Sequence, residues 1–273
     1  MLCLASLRKE PDEFQWFDEP PPELVQKARD DLVELKAIDI KPFKAKDLGK
    51  LSVETGCPIN LTKVVDEGRR LKGVEFGVAV AAALHFVHIS NASCELNVGA
   101  ESTDNFSSSR SSVNVDALCV RAILTWCRLP QSQKASFKTS NLKHYFERAC
   151  NWFNHTLEAF YRKMPDWRKD SCQAGDIVGF DDDDVFRCIT AGYFMHAIYE
   201  LSDDEVMKSY PYAHYASTRS GEILVAASNK SQVVPAHKER KWALYVSAHS
   251  FDGQCIITAP PVPIKLEWIK NHS

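Results

Sequence analysis

Apolar residues recur at steps of three and four along much of this chain, and each such stretch predicts a helix with one buried face. Leu24, Val25, Ala28, Leu32 and Leu35 mark the first, entered through Pro20, Pro21 and Pro22. Proline suits a first helical turn because its missing N–H would have no partner there. A charged, extended connection follows at 39–49. A second helix is predicted over 58–71, on Ile59, Leu61, Val64 and Val65, and a third over 74–89 that is apolar on every side. Residues 90–114 are rich in Ser, Asn and Gly and predict a mobile loop. Helical spacing resumes over 115–127 with Leu118, Ala122, Ile123 and Trp126. It returns in a long stripe of Leu142, Tyr145, Phe146, Ala149, Phe153, Leu157 and Phe160 that Pro165 stops. A polar linker at 166–180 leads to "DDDDVFRCITAGYFMHAIYEL", an apolar helix behind four aspartates.

After Tyr210 the period changes from helix to strand. "YAHYAST", "EILVAAS", "KWALYVSA", "QCIITA" and "IKLEWI" are separated by turns rich in Gly and Pro. Short strands on this scale suit a small barrel or meander, of which a five-stranded oligonucleotide-binding (OB) barrel is one solution. Helices first and strands last argue for successive small domains rather than a doubly wound sheet.

A net charge of −3 over 273 residues means that any nucleic-acid surface must be a local patch. The nine cysteines form no CxxC pair, and Cys119, Cys127, Cys150, Cys188 and Cys255 sit in apolar segments, which predicts free thiols in a reducing compartment. The apolar run at the start is too short for a signal peptide, so the sequons at Asn60, Asn91, Asn105, Asn154 and Asn229 are read as chance. The apolar stretch 73–89 is shorter than the ~20 residues of a membrane span. The expected location is cytoplasmic or nuclear, with no membrane partner.

Familiar catalytic patterns are missing. "LGKLS" at 48–52 lacks the upstream glycine of a phosphate loop, and the chain has no DEAH box, HExxH or GxSxG. His85 and His88 stand one turn apart on an apolar helix and read as core or interface residues rather than metal ligands. Asp181–Asp184 read as a helix cap rather than a metal site. No catalytic or metal-binding residue is assigned.

Several pieces, in order, resemble the C-terminal half of DEAH-box RNA helicases. "FDEPPPELVQKARDDLVELKAID" (17–39) is similar to the opening of that family's winged helix, and "DLGKL" (47–51) to its Leu-Gly step. "CPINLTKVVDEGRRLKGVEFGVAVAAAL" (57–84) and "DALCVRAILTW" (116–126) resemble its next helices. "ITAGYFMHAIY" (189–199) is the sharpest match, to the helix before the OB strands, and "KWALYVSA" and "IKLEWI" resemble strands of the OB region. Two stretches depart from the pattern: "VAASNKS" (225–231) replaces a His-Pro-Ser-Ser segment, and "KTSNLKHYF" (138–146) keeps little beyond Asn141.

The resemblance implies an α+β, multi-domain chain: a remnant linker from a motor (1–16), a degenerate winged helix (17–65), a helical ratchet domain (66–170) with the loop 90–114, and a helix plus OB-like β-barrel (171–273). It implies an accessory region that guides single-stranded RNA. ATP and Mg would be used only by two RecA-like motor domains outside this chain, so no ATPase or helicase activity is expected of the chain alone. Candidate RNA contacts are Lys138, Lys143 and His144 in the ratchet, and Tyr215, Arg219, Lys230, Lys238, Arg240 and Lys241 in the OB region. "HKER" with Lys241 is the densest basic cluster. Two other readings stay open. One is a non-catalytic module that docks on a helicase motor or its protein cofactor. The other is a fragment of a full-length helicase.

Overall fold

The computed structural model describes residues 1–88, 115–129, 143–168, 179–201, 212–219, 223–229, 242–246, 248–251, 254–257 and 262–271. They form an α+β fold with a small N-terminal module, a helical core and one mixed sheet.

The N-terminal module starts with α1 (Leu2–Ser6) and α2 (Pro22–Glu34), the latter carrying proline at its first position. Two bonds close the end of α2: the Ala37 N–H donates to the Leu32 carbonyl and the Lys36 N–H to that of Val33, each at 2.8 Å. This 6→1 and 5→2 pair needs a left-handed residue between helix and strand. Lys36 supplies it at φ +58°, where glycine is the usual choice. The strands β1 (Ile38–Ile40) and β2 (Phe43–Ala45) then pair antiparallel, with Ile38 opposite Ala45. Ile38, Phe43 and Ala45 are buried with Leu4, Leu32, Leu35 and Phe194 in a small core. The stretch expected as an extended connection at 39–49 is thus a hairpin followed by α3 (Asp47–Thr55). Three-residue strands are too short to announce themselves by alternation.

Helix α4 (Ile59–Lys72) turns into α5 (Val74–Ala83) at Gly73, whose φ of +108° excludes other residues. All of α5 from Phe76 to Ala83 is buried, walled by α4, α6 (Val115–Arg128) and α7 (Lys143–Lys163). Helix α8 (Asp182–Tyr193) also packs against α4. A π-helical turn, Leu84–His88, extends α5. The Tyr161 hydroxyl on α7 donates to the Glu75 carboxylate on α5, tying the two helices.

The sheet comprises β3 (Ala197–Glu200), β4 (Tyr212–Ser217), β5 (Ile223–Asn229), β6 (Trp242–Leu244), β7 (Ala248–Phe251), β8 (Gln254–Ile257) and β9 (Val262–Pro263). Their order is β7-β8-β5-β4-β3-β6-β9, with β5 and β8 parallel and the other pairs antiparallel. Among the described residues the sheet is open, with β7 and β9 at its edges.

Two expectations are corrected. The helix predicted through 199 ends at Tyr193, and Ala197–Glu200 becomes β3 at the heart of the sheet. Ala197 and Ile198 are fully buried there, so tertiary packing overrides the helical pattern. "IKLEWI" is not a strand but leads into α9 (Leu266–Lys270). A strand would place Leu266 and Trp268 on one face, whereas Leu266 is 41% exposed and Trp268 only 8%. Packing of α9 on α8 accounts for the helix.

Candidate nucleic-acid interface

The structure scatters the expected RNA contacts. Lys138, Lys230, Lys238, Arg240 and Lys241 lie outside the described residues. Lys143 and His144 open α7, and Tyr215 lies in β4 opposite Leu224 of β5 and Glu200 of β3. Arg219 is placed most sharply. It stands on the turn after β4, with Nη1 2.7 Å from Asp31 Oδ1 and Nη2 3.0 Å from Glu34 Oε2. The bond to Asp31 is the main cause of its raised pKa, with Glu34 adding to it. Its guanidinium ties the sheet to α2. The pairs are exposed, so each is worth about 1 kcal/mol at most.

Behind this tie lies a half-buried aromatic step. The His196 ring stacks on Tyr245 at 4.7 Å and 7°, and its Nδ1 donates to the Tyr245 carbonyl at 3.2 Å. Burial lowers the His196 pKa, and Arg219 and Lys27 push the same way. The Tyr245 bond and Asp31 oppose them. The unfolded chain therefore binds a proton near pH ~6.5 that the folded chain does not. This stability is complete above that pH and is lost as pH falls toward the lower folded value. The chain is expected to unfold at lower urea at about pH 5.5 than at about pH 7.5, and His196→Gln to shrink that difference. Equal pH sensitivity in the two proteins would refute the assignment.

Beside His196, the Phe194 ring carries the Lys63 ammonium 4.8 Å from its centre. Lys63 projects from α4, and Lys36, at the left-handed end of α2, is within electrostatic reach. The basic runs of the sequence give no hint of this pair. Lys36 and Lys63 lie far apart in the chain, and Lys63 reads as one polar position of an amphipathic helix. A second cluster gathers at the π-helical turn. His85 stacks on Trp152 at 5.3 Å, Phe86 meets Trp152 edge-on, and the Arg148 guanidinium stands 5.6 Å from the Phe86 ring.

The four aspartates act as a cap and as ion-pair partners. Asp181 Oδ1 accepts from the Asp184 N–H at 2.8 Å, and Asp184 Oδ2 from the Asp181 N–H at 3.2 Å. Asp184 also pairs with Lys72 at 3.3 Å, and Asp183 with Lys265. Among the described residues no group of three or more His, Cys, Asp or Glu is placed to hold a metal ion. The described cysteines are free thiols, and no described helix is long and apolar enough to cross a membrane.

The fold is similar to part of one DExH-box NTPase. The crystal structure of the E. coli DExH-box NTPase HrpB aligns with 99% of this chain at a TM-score of 0.54 and 11% identity. The alignment takes in 25% of the HrpB chain, so this protein spans about a quarter of that structure. No protein-family profile matches the chain, and no curated protein matches it in sequence.

Proposed function

We propose that this chain is an RNA-binding accessory region of a DEAH-box-type RNA helicase. It guides single-stranded RNA while ATP-driven unwinding is done by motor domains. The observation that carries this reading is the alignment of nearly the whole chain with about a quarter of a DExH-box NTPase. The winged-helix, ratchet and OB-like assignments belong to the same proposal. In it, residues 17–65 form the winged helix, 66–170 the ratchet, and 171–273 a helix with the OB-like part. Contacts to phosphates, with bases stacking on aromatic faces, would supply the affinity.

The test is fluorescence anisotropy with a single-stranded RNA of about 12 nucleotides. Binding in the micromolar range is expected, falling steeply with salt. Replacing Lys238, Arg240 and Lys241 together with alanine should weaken it by about tenfold or more. The salt dependence should flatten by about one unit for each phosphate no longer neutralised. Absence of salt-sensitive binding at micromolar protein would exclude the reading.

One observation favours a second reading, a module that docks on a helicase motor or its protein cofactor. Leu7, Phe17 and Leu24 in the N-terminal module are 68%, 102% and 57% exposed, and exposed apolar groups of this kind mark binding surfaces when they form a patch. Capture of a helicase motor by the chain, abolished by Phe17→Ser with Leu24→Ser, would favour it.

A further inference from the structure

We infer that His85, Phe86 and Trp152, with Arg148 beside them, form a site for one unpaired nucleotide: its base stacks on the aromatic cluster and its phosphate meets Arg148. On the reading proposed above, that nucleotide belongs to single-stranded RNA. The site joins the π-helical turn at the end of α5 to the first half of α7, and these two elements pack together.

The rings hold one another in place. His85 and Trp152 stack with centroids 5.3 Å apart and planes at 28°. Phe86 stands edge-on to both, 4.7 Å from His85 and 6.2 Å from Trp152. All three are half-buried, and Phe86 and Trp152 lie at the rim of the main core. A base that extends this stack takes the remaining ring surface out of water. It needs no matching hydrogen bonds, because every base has a π face. The turn that presents His85 and Phe86 is π-helical, a rare geometry found frequently at functional sites.

Charge beside the rings is positive. The Arg148 guanidinium stands 5.6 Å from the centre of Phe86, and the residue is exposed. Among the described residues no carboxylate pairs with Arg148. Glu147 lies about 100° round the helix from it, and the π-helical turn Leu84–His88 has no acidic residue. Burial first, and then Arg148, lowers the His85 pKa, so the imidazole stacks as a neutral ring at neutral pH. Arg148 and Trp152 are four residues apart, which sets them about 5–6 Å from each other on one side of α7. Asn151, three residues on from Arg148, and His155, three on from Trp152, are exposed and continue the same surface with polar groups for a base edge or a sugar.

The experiment follows the ring-proton NMR signals of His85 in the full chain, assigned by their absence in His85→Gln. The probes are inorganic phosphate, adenosine monophosphate and an oligoadenylate of about 12 nucleotides. A base on the stack should move the His85 signals through its ring current, with both nucleotide probes and not with inorganic phosphate. Trp152→Leu removes the aromatic face and no charge. It should weaken oligoadenylate binding about tenfold and leave the salt dependence unchanged. Arg148→Gln should weaken binding several-fold and reduce the salt dependence by about 0.7 unit, the value of one phosphate on a single strand. Should Trp152→Leu fail to fold, Arg148→Gln, altered only at an exposed side chain, and the parent's His85 signals decide the matter. A His85 that moves with adenosine monophosphate in a chain that binds no oligoadenylate keeps the site and removes the RNA reading. Oligoadenylate binding with unmoved His85 signals keeps the RNA reading and overturns the site. His85 signals unmoved by either nucleotide, or moved equally by inorganic phosphate, overturn it as well.

Discussion

Gly77→Val is expected to unfold the helical core. Gly77 lies on α5 where it crosses α4. A Cβ at that position would fall 2.5 Å from the Val65 carbonyl oxygen and 2.9 Å from the Val65 Cα. The partner position is equally tight, because a Cβ on Gly68 would stand 2.2 Å from the Gly77 Cα. These are backbone atoms, so no rotamer change relieves the clash and the helices themselves must separate. Separation pulls apart the packing of Val64, Val65, Val78 and Ala81 at the centre of the main core. Overpacking that moves backbone exceeds the usual cost of about 1–3 kcal/mol, so about 4 kcal/mol or more is expected. Against a total stability of about 5–15 kcal/mol this is a large fraction. Urea unfolding should show Gly77→Val without a cooperative transition or with a much lower midpoint. Gly77→Ala should fall between it and the parent. A Gly77→Ala chain with the parent's midpoint would show that the helices do not meet as closely as these distances require.

Glycines at close backbone approaches also explain which parts of the chain are readable. "ITAGYFMHAIY" carries the sharpest resemblance, and Gly192 within it has no room for a side chain: a Cβ would sit 2.4 Å from the Asn60 carbonyl oxygen. Gly49 of "DLGKL" meets the Ala37 carbonyl oxygen in the same way. Motifs of this kind reflect close approach of backbones, which few residue types allow, so they point to a fold rather than to a chemistry. The long helices are equally legible because their apolar stripes run for several turns. Elements of two to five residues are not. The hairpin at Ile38–Ala45, the strand Ala197–Glu200 and the helix Leu266–Lys270 are decided by what they pack against. Charge behaves differently again. Arg219 reads as an RNA contact in the sequence, and in the structure it pairs with Asp31 and Glu34 on a helix distant in sequence.

Phe160→Ala should be the costliest of the simple core truncations and should act on more than its own helix. Phe160 is fully buried on α7, and its ring stacks on Trp167 at 5.6 Å with planes 10° apart. Trp167 in turn receives the Arg69 guanidinium of α4, 4.8 Å from its ring centre. One ring thus supports a chain from α7 through the turn Pro165–Arg168 to α4. Removing a buried phenylalanine side chain costs about 3–5 kcal/mol through reduced transfer energy and the cavity left behind. The stacked pair adds about 0.5–1.5 kcal/mol beyond its area, which puts this position toward the top of that range. Tm should fall by about 10 °C, with the urea m-value unchanged if the chain remains two-state. Phe160→Leu refills most of the volume and should cost less than half as much. The coupling has its own readout. Arg69→Met should cost less in the Phe160→Ala background than in the parent, because Trp167 no longer has a fixed position to offer the cation. Strict additivity of the two substitutions would mean that Trp167 is held by other neighbours and that Phe160 does no more than fill space.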